Sequence, residues 1–222
     1  MVALRFYIVR HGETDANRQQ IIQGQLDTEL NKLGQEQADL VAERLRSIPF
    51  DVALASDLIR ASRTAETIVA HHQSVTLVKQ TDLRERFMGD LQGRQFTPGS
   101  RWASTADGTA ESSQAFIERI NEWWDTCVLE LAERPPKADG TPHEILVVSH
   151  GGFIGMLVRS LIRQQRLSCA KGVIVGACGN TSVSIVEVEA DGKSIVTVFG
   201  DCSHLYEMSS ADNADDEMNL RN

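Results

Sequence analysis

Leu4-Arg5-Phe6-Tyr7-Ile8-Val9-Arg10-His11-Gly12-Glu13 and Glu144-Ile145-Leu146-Val147-Val148-Ser149-His150-Gly151-Gly152 follow one plan. Each is an apolar, β-branched run that ends in a histidine followed by glycine. Short runs of this kind, bounded by turn residues, read as buried strands. Asp51 to Ser56 and Val75 to Lys79 are shorter candidates of the same type. Thr181 to Glu187 and Ser194 to Gly200 read as a hairpin turning at Ala190-Asp191-Gly192.

Helical periodicity fills the intervals. Leu33 to Ile48 repeats apolar residues at Ala38, Val41, Leu45 and Ile48, and Asp57 to His72 at Ala61, Ala65, Ile68 and Val69. Glu111 to Arg134 is longer and stops at Pro135-Pro136, where the missing N–H and the fixed φ end a helix. Phe153 to Arg163 is the last. Alternating strands and helices predict an α/β three-layer sandwich. Its sheet is mostly parallel, with helices on both faces and an antiparallel edge strand from the hairpin. Arg86 to Asp107 lacks periodicity and reads as a loop or lid. Residues 1–208 form the expected single domain, and 209–222 an acidic tail with no core-forming pattern.

The chain has 222 residues, 41% hydrophobic and 24% charged, which suits a globular domain and not a disordered chain. No apolar run approaches the length of a membrane span. The N-terminus lacks the basic start and small-residue cleavage site of a signal peptide. A formal charge of −9 makes nucleic acid an unsuitable partner. A few arginines in one cleft can still hold a small anion. Cys127, Cys169, Cys178 and Cys202 make no C-x-x-C pair, so a cytoplasmic protein with reduced thiols is expected.

Both histidines lie just past a strand end, where open α/β sheets bind ligands. Arg60 adds an arginine at a helix start behind a third strand. Two histidines and two arginines at one sheet edge suit a phosphate monoester. Guanidinium forks match phosphate oxygens, and a neutral imidazole can attack phosphorus. No Walker loop, G-x-G-x-x-G, H-E-x-x-H or G-x-S-x-G is present.

RHGETDAN (Arg10 to Asn17), LASDLIRASRTAET (Leu54 to Thr67), LRER (Leu83 to Arg86) and VVSHGG (Val147 to Gly152) occur in this order. With Asn180-Thr181-Ser182 and GDCSHL (Gly200 to Leu205), the chain resembles the histidine phosphatase superfamily, the phosphoglycerate-mutase-like RHG branch. The resemblance runs from Arg5 to about Met208. It implies that His11 is the nucleophile, that Arg10, Arg60 and His150 hold the phosphoryl oxygens, and that Glu85 is the general acid and base. Asn17 and the Gly151 backbone would border the phosphate, and Gln23, Glu111 and Ser112 the substrate side. No metal or organic cofactor is implied. The partner is a small phosphorylated substrate or inorganic phosphate.

Mutases of this branch carry long insertions after the LRER region, whereas here only 25 residues separate Glu85 from Glu111. Phe87 and Met88 also stand where mutases usually have His and Tyr. The expectation is therefore a metal-independent phosphomonoesterase, most like the broad-specificity phosphatases, with fructose-2,6-bisphosphatase-like members next. A cofactor-dependent phosphoglycerate mutase and a non-catalytic phospho-ligand module are the alternatives. The final apolar strands offer an edge for pairing, so monomer and homodimer both stay open. His71, His72 and Arg63 read as structural, His143 as a solvated loop residue, and His204 carries no role derivable from sequence.

Overall fold

The computed structural model of the chain describes residues 1–95 and 108–206. Part of the expected lid, the tail at 209–222 and Trp102 lie outside the described residues. Seven strands form one sheet: β1 (Val2–Arg10), β2 (Val52–Ser56), β3 (Leu77–Gln80), β4 (His143–Ser149), β5 (Leu167–Cys169), β6 (Val183–Glu189) and β7 (Ser194–Asp201). Their order is β3-β2-β4-β1-β6-β7-β5. All neighbours pair parallel except β6, which runs against both β1 and β7.

Side-chain alternation builds two cores. Leu4, Phe6 and Ile8 of β1, with Ile145 and Val147 of β4, face α4 (Ser113–Ala132) and α5 (Gly151–Arg163). Tyr7 and Val9, with Ala53, Ala55, Leu146 and Val148, face α2 (Lys32–Leu45) and α3 (Ile59–Val69). Phe6 meets Trp124 at 4.8 Å, and Trp123 packs edge-on to Phe153 at 5.6 Å, so these tryptophans are core residues. The small Ala53, Ala55, Ala61 and Ala65 let α3 approach β2 closely.

The helices lie close to their expected spans, with α2 starting one residue early at Lys32 and ending at Leu45, and α5 starting two residues early at Gly151. α3 starts at Ile59 rather than Asp57, and α4 starts at Ser113, with Ser112 as its cap. The hairpin turns as expected, with Gly192 at φ 85°, a left-handed conformation that glycine adopts without strain. It does not end the sheet, because the short β5 pairs outside β7 and covers its edge. Three residues are too few to carry a periodic signal, so β5 was not legible. The single-turn α1 (Asp15–Arg18) was missed for the same reason. His143 is not a loop residue. It opens β4, bonds the Pro135 carbonyl at 3.1 Å and lies 3.8 Å from Asp51. Among the described residues, no helix is long and apolar enough to cross a membrane.

Candidate active site

Sheet register brings the two histidines together. Arg10 of β1 stands opposite Ser149 of β4, so His11 and His150 leave the sheet side by side. Their ring centres are 5.2 Å apart, and both rings are buried. His11 Nδ1 lies 2.7 Å from the Gly12 carbonyl. A carbonyl only accepts, so Nδ1 carries the proton and the lone pair sits on Nε2. The His11 carbonyl is held by two donors, Asn180 Nδ2 at 3.0 Å and the Thr181 N–H at 3.3 Å. Burial, followed by the charges of Arg60 and Arg10, pushes the His11 pKa well below the ordinary histidine value. The same burial and arginines depress His150. Both rings are therefore neutral at neutral pH.

His150 Nε2 lies 2.9 Å from Ser56 Oγ, which already accepts from the Leu58 N–H. His150 Nδ1 is buried with no partner, a polar atom left over for a ligand.

The two arginines are buried cations oriented by backbone carbonyls. Arg60 is 1% exposed, and its terminal nitrogens donate to the carbonyls of Leu26 (2.6 Å) and Gly24 (2.8 Å). Burial lowers its pKa to about 10, so it stays charged. Arg10 Nη1 donates to the Cys178 carbonyl at 2.6 Å. Each Nε is buried and unpartnered, which leaves two unused N–H donors beside the histidines.

Glu85 closes the site. Its Oε2 accepts from the Gly152 N–H at 2.8 Å and its Oε1 from the Arg86 N–H at 2.9 Å. A Cβ at 152 would lie 2.8 Å from Oε2 and 2.9 Å from Cδ, and closer still to Oε1, so glycine there lets the carboxyl reach the backbone N–H. The arginines flanking Glu85 hold its segment in place. Arg84 grips Asp57 through two bonds of 2.7 and 2.6 Å, and Arg86 Nε donates to the Glu111 carbonyl at 2.8 Å.

A cleft of about 400 Å³ is lined by Arg10, His11, Asn17, Gln23, Arg60, Glu85 and Gly151, among others. Asn17 Oδ1 accepts from the Thr14 N–H and from Asn180 Nδ2. That fixes its amide and leaves its NH₂ as the free end. Gln23 Oε1 accepts from the Thr28 hydroxyl at 2.6 Å. His150 lies just behind the cleft, against the His11 ring. Two of the expected substrate residues are elsewhere. Glu111 is paired with Arg119 through two 3.0 Å bonds and braces Phe87. Ser112 accepts from the Ala115 N–H as the cap of α4.

Sequence reasoning missed Ser56 and the role of His204. Arg44 donates to His204 Nδ1 at 3.1 Å, so the ring hydrogen is on Nε2, 3.1 Å from Thr181 Oγ1. Thr181 Oγ1 then donates to the Asn180 carbonyl at 2.8 Å. His204 thus ties down the two residues that hold the His11 carbonyl. Thr181 has φ 52°, a left-handed conformation costly for a β-branched residue. Burial and Arg44 push the His204 pKa down to about 4.

Residues 6–200 match the family model of the histidine phosphatase superfamily, branch 1. The chain belongs to that family, and it is a phosphatase-type enzyme. It is 37% identical over 207 residues to phosphoglycerate mutase-like protein 4 of Arabidopsis thaliana, covering 90% of this chain and 86% of that one. A broad-specificity phosphatase of Saccharomyces cerevisiae is 34% identical (91% and 87% covered). A metal-independent phosphoserine phosphatase of Arabidopsis thaliana is 33% identical (89% and 82% covered). Among solved structures, a mycobacterial glucosyl-3-phosphoglycerate phosphatase in complex with VO₃ superposes with TM-score 0.72 at 30% identity, covering 88% of this chain and 97% of that one.

Proposed function

We propose that this chain hydrolyses phosphate monoesters of small metabolites, without a metal ion, through a phosphohistidine at His11 Nε2. The observation that carries the reading is the His11 tautomer. The Gly12 carbonyl takes the Nδ1 hydrogen, so the Nε2 lone pair belongs to a cleft lined by two arginines whose Nε–H groups are unpaired. The metal-independent phosphoserine phosphatase among the relatives supports the same chemistry.

In the first step Nε2 attacks phosphorus in line and the ester P–O bond breaks. Glu85 in its acid form gives its proton to the departing alkoxide. Such acid catalysis is worth about 10²–10⁴-fold. Arg10, Arg60 and His150 stabilise the three equatorial oxygens as charge shifts onto them. In the second step Glu85, now a carboxylate, takes a proton from water as its oxygen attacks phosphorus. The N–P bond breaks, and phosphate leaves with His11 and Glu85 restored. Residues 1–208 act as one domain in this reading, monomeric or homodimeric. The four free thiols support a reducing, cytoplasmic setting.

The test is phosphate release from p-nitrophenyl phosphate, phosphoglycerates and sugar phosphates in excess EDTA, with His11→Ala as control. Release by the wild type alone, with an acid-labile, alkali-stable phosphoryl adduct trapped on the protein, is expected. Release abolished by EDTA, or undiminished in His11→Ala, overturns the reading. Interconversion of phosphoglycerates without net release would make the chain a mutase.

A further inference from the structure

The segment that carries Glu85 runs past the end of the sheet. β3 stops at Gln80, level with Ser56 of β2. Beyond it come one 3-10 turn, Thr81–Leu83, and an extended Arg84 at φ −62° and ψ 153°. With no strand alongside, the carbonyls there need donors from side chains. All four from Asp82 to Glu85 have one. Ser149 Oγ donates to the Leu83 carbonyl at 2.7 Å, and Gln25 Nε2 to the Glu85 carbonyl at 3.1 Å. The other donors belong to Arg119 of α4. Its Nη1 donates to the carbonyls of Asp82 at 2.7 Å and Arg84 at 3.0 Å, and its Nη2 to that of Glu85 at 3.3 Å.

Every hydrogen of this guanidinium is committed. A guanidinium carries five N–H donors, and three go to those carbonyls. The other two go to the Glu111 carboxylate, from Nε and Nη2, each at 3.0 Å. None is left for a ligand, and Arg119 does not line the cleft. Glu111 extends the grip to the far side of Glu85. Its Oε2 accepts from the Phe87 N–H at 3.1 Å, and its carbonyl accepts from Arg86 Nε at 2.8 Å. One ion pair therefore holds the backbone before Glu85 and the residues just after it. The Glu85 carboxyl has two bonds of its own. The one to the Arg86 N–H travels with the segment, and the one to the Gly152 N–H ties it to α5.

We propose that Arg119 is a positioning residue for the reaction: by holding the backbone of residues 82–85 it fixes where the Glu85 carboxyl stands in the cleft, and so whether its proton reaches the leaving group. This rests on the phosphomonoesterase reading of the cleft. Without the guanidinium, three carbonyls lose a donor and the carboxyl drifts from the Gly152 N–H. A displacement of about 1 Å costs about 10²-fold when a group must meet a reacting atom. Lysine brings three donors from one point in place of five from a planar fork, so it restores the charge opposite Glu111 but not the whole grip.

The experiment measures kcat/KM for glycerol 3-phosphate, whose alkoxide needs the proton, and for p-nitrophenyl phosphate, whose phenolate barely does. Arg119→Gln is expected to lose about 10²-fold on the first and less than about tenfold on the second. Arg119→Lys serves if the glutamine variant does not fold, and is expected to show the same split at about tenfold, the worth of one hydrogen bond to a charged group. In a Glu85→Gln background either substitution is expected to cost no more than about twofold on either ester, because the group it positions is gone. Equal losses on both esters, or losses undiminished in the Glu85→Gln background, overturn the proposal. The Gly152 amide proton gives a second readout that needs no turnover. In the ¹⁵N-labelled wild type its chemical shift is expected to titrate with Glu85, and in Arg119→Gln to lose that pH dependence. An amide that still titrates as in the wild type overturns the proposal. If the wild type releases phosphate from neither ester, the hydrolase reading fails, and the amide titration decides the role of Arg119.

Discussion

Gly152→Ala separates the stability of α5 from the chemistry at its end. Alanine at the second position of a helix is favourable by about 0.5–1 kcal/mol relative to glycine. Gly152 has no positive φ to conflict with a side chain. The Tm is therefore expected to hold or rise by about 2–4 °C for a domain of this size. The new methyl group would sit 2.9 Å from Glu85 Cδ, where carbon atoms pack at about 3.5–4.0 Å. The carboxyl must retreat by about 1 Å and loses its 2.8 Å bond to the Gly152 N–H. A displacement of that size costs about 10²-fold when the group must meet a reacting atom. The parameter kcat/KM reports on ester cleavage, where Glu85 serves as the acid. Cleavage of an alkyl phosphate needs that proton, and cleavage of p-nitrophenyl phosphate barely does. The expected result is a fall of about 10²-fold in kcat/KM for glycerol 3-phosphate and of less than about tenfold for p-nitrophenyl phosphate. An equal fall on both esters would refute Glu85 as the proton donor. A large drop in Tm would refute the account of the clash, since the damage would then lie in the fold.

Other outcomes follow from the same geometry. Glu85→Gln should reproduce the leaving-group dependence without the gain in Tm, as measured by the same pair of assays. Gly12→Ala should destabilise by about 2–4 kcal/mol in urea unfolding, because its Cβ would lie 3.0 Å from the Gly34 carbonyl carbon and nearer still to the oxygen, both backbone atoms that cannot swing away. Arg60→Leu should lose activity and also stability, by about 1–3 kcal/mol for each of the Gly24 and Leu26 carbonyls left without a donor. For pH, the folded pKa values of His11, His150 and His204 lie below the unfolded value. The unfolded chain then binds more protons, so stability is full above about pH 6.5 and is lost as pH falls toward the folded values. His204→Gln should flatten the fall in Tm between pH 6.5 and 4, the range its own titration spans. A slope equal to the wild type would remove His204 as a contributor.

The elements that place the chemistry were legible because they are long and periodic. Both histidine strands, all four major helices and the hairpin follow from apolar spacing alone. Their alternation also sufficed for the layer order. The pairing of His11 with His150 was visible as two strand ends with the same punctuation. What stayed hidden depends on where side chains point across the fold. Glu111 lies near Glu85 in space and yet turns to Arg119, a choice set by α4 packing. Ser56 became a partner of the His150 ring only because β2 pairs directly with β4. Arg119 had no local mark, since the carbonyls it holds lie 34 to 37 residues earlier. His204 acts through Thr181, 23 residues earlier, and no spacing rule links them.

The adjacency of β1 and β4 has a consequence for how such a chain can change. The distance between His11 and His150 is set by interstrand hydrogen bonds at Arg10 and Ser149, not by the 138 residues that intervene. Loops within that interval can lengthen, shorten or be exchanged while the reacting pair keeps its spacing. Most of the cleft rim is drawn from those loops and from the segment before β6. The molecule therefore separates a fixed reaction centre from a replaceable border. Grafting a rim from another member onto this sheet should transfer substrate choice without rebuilding the histidine pair.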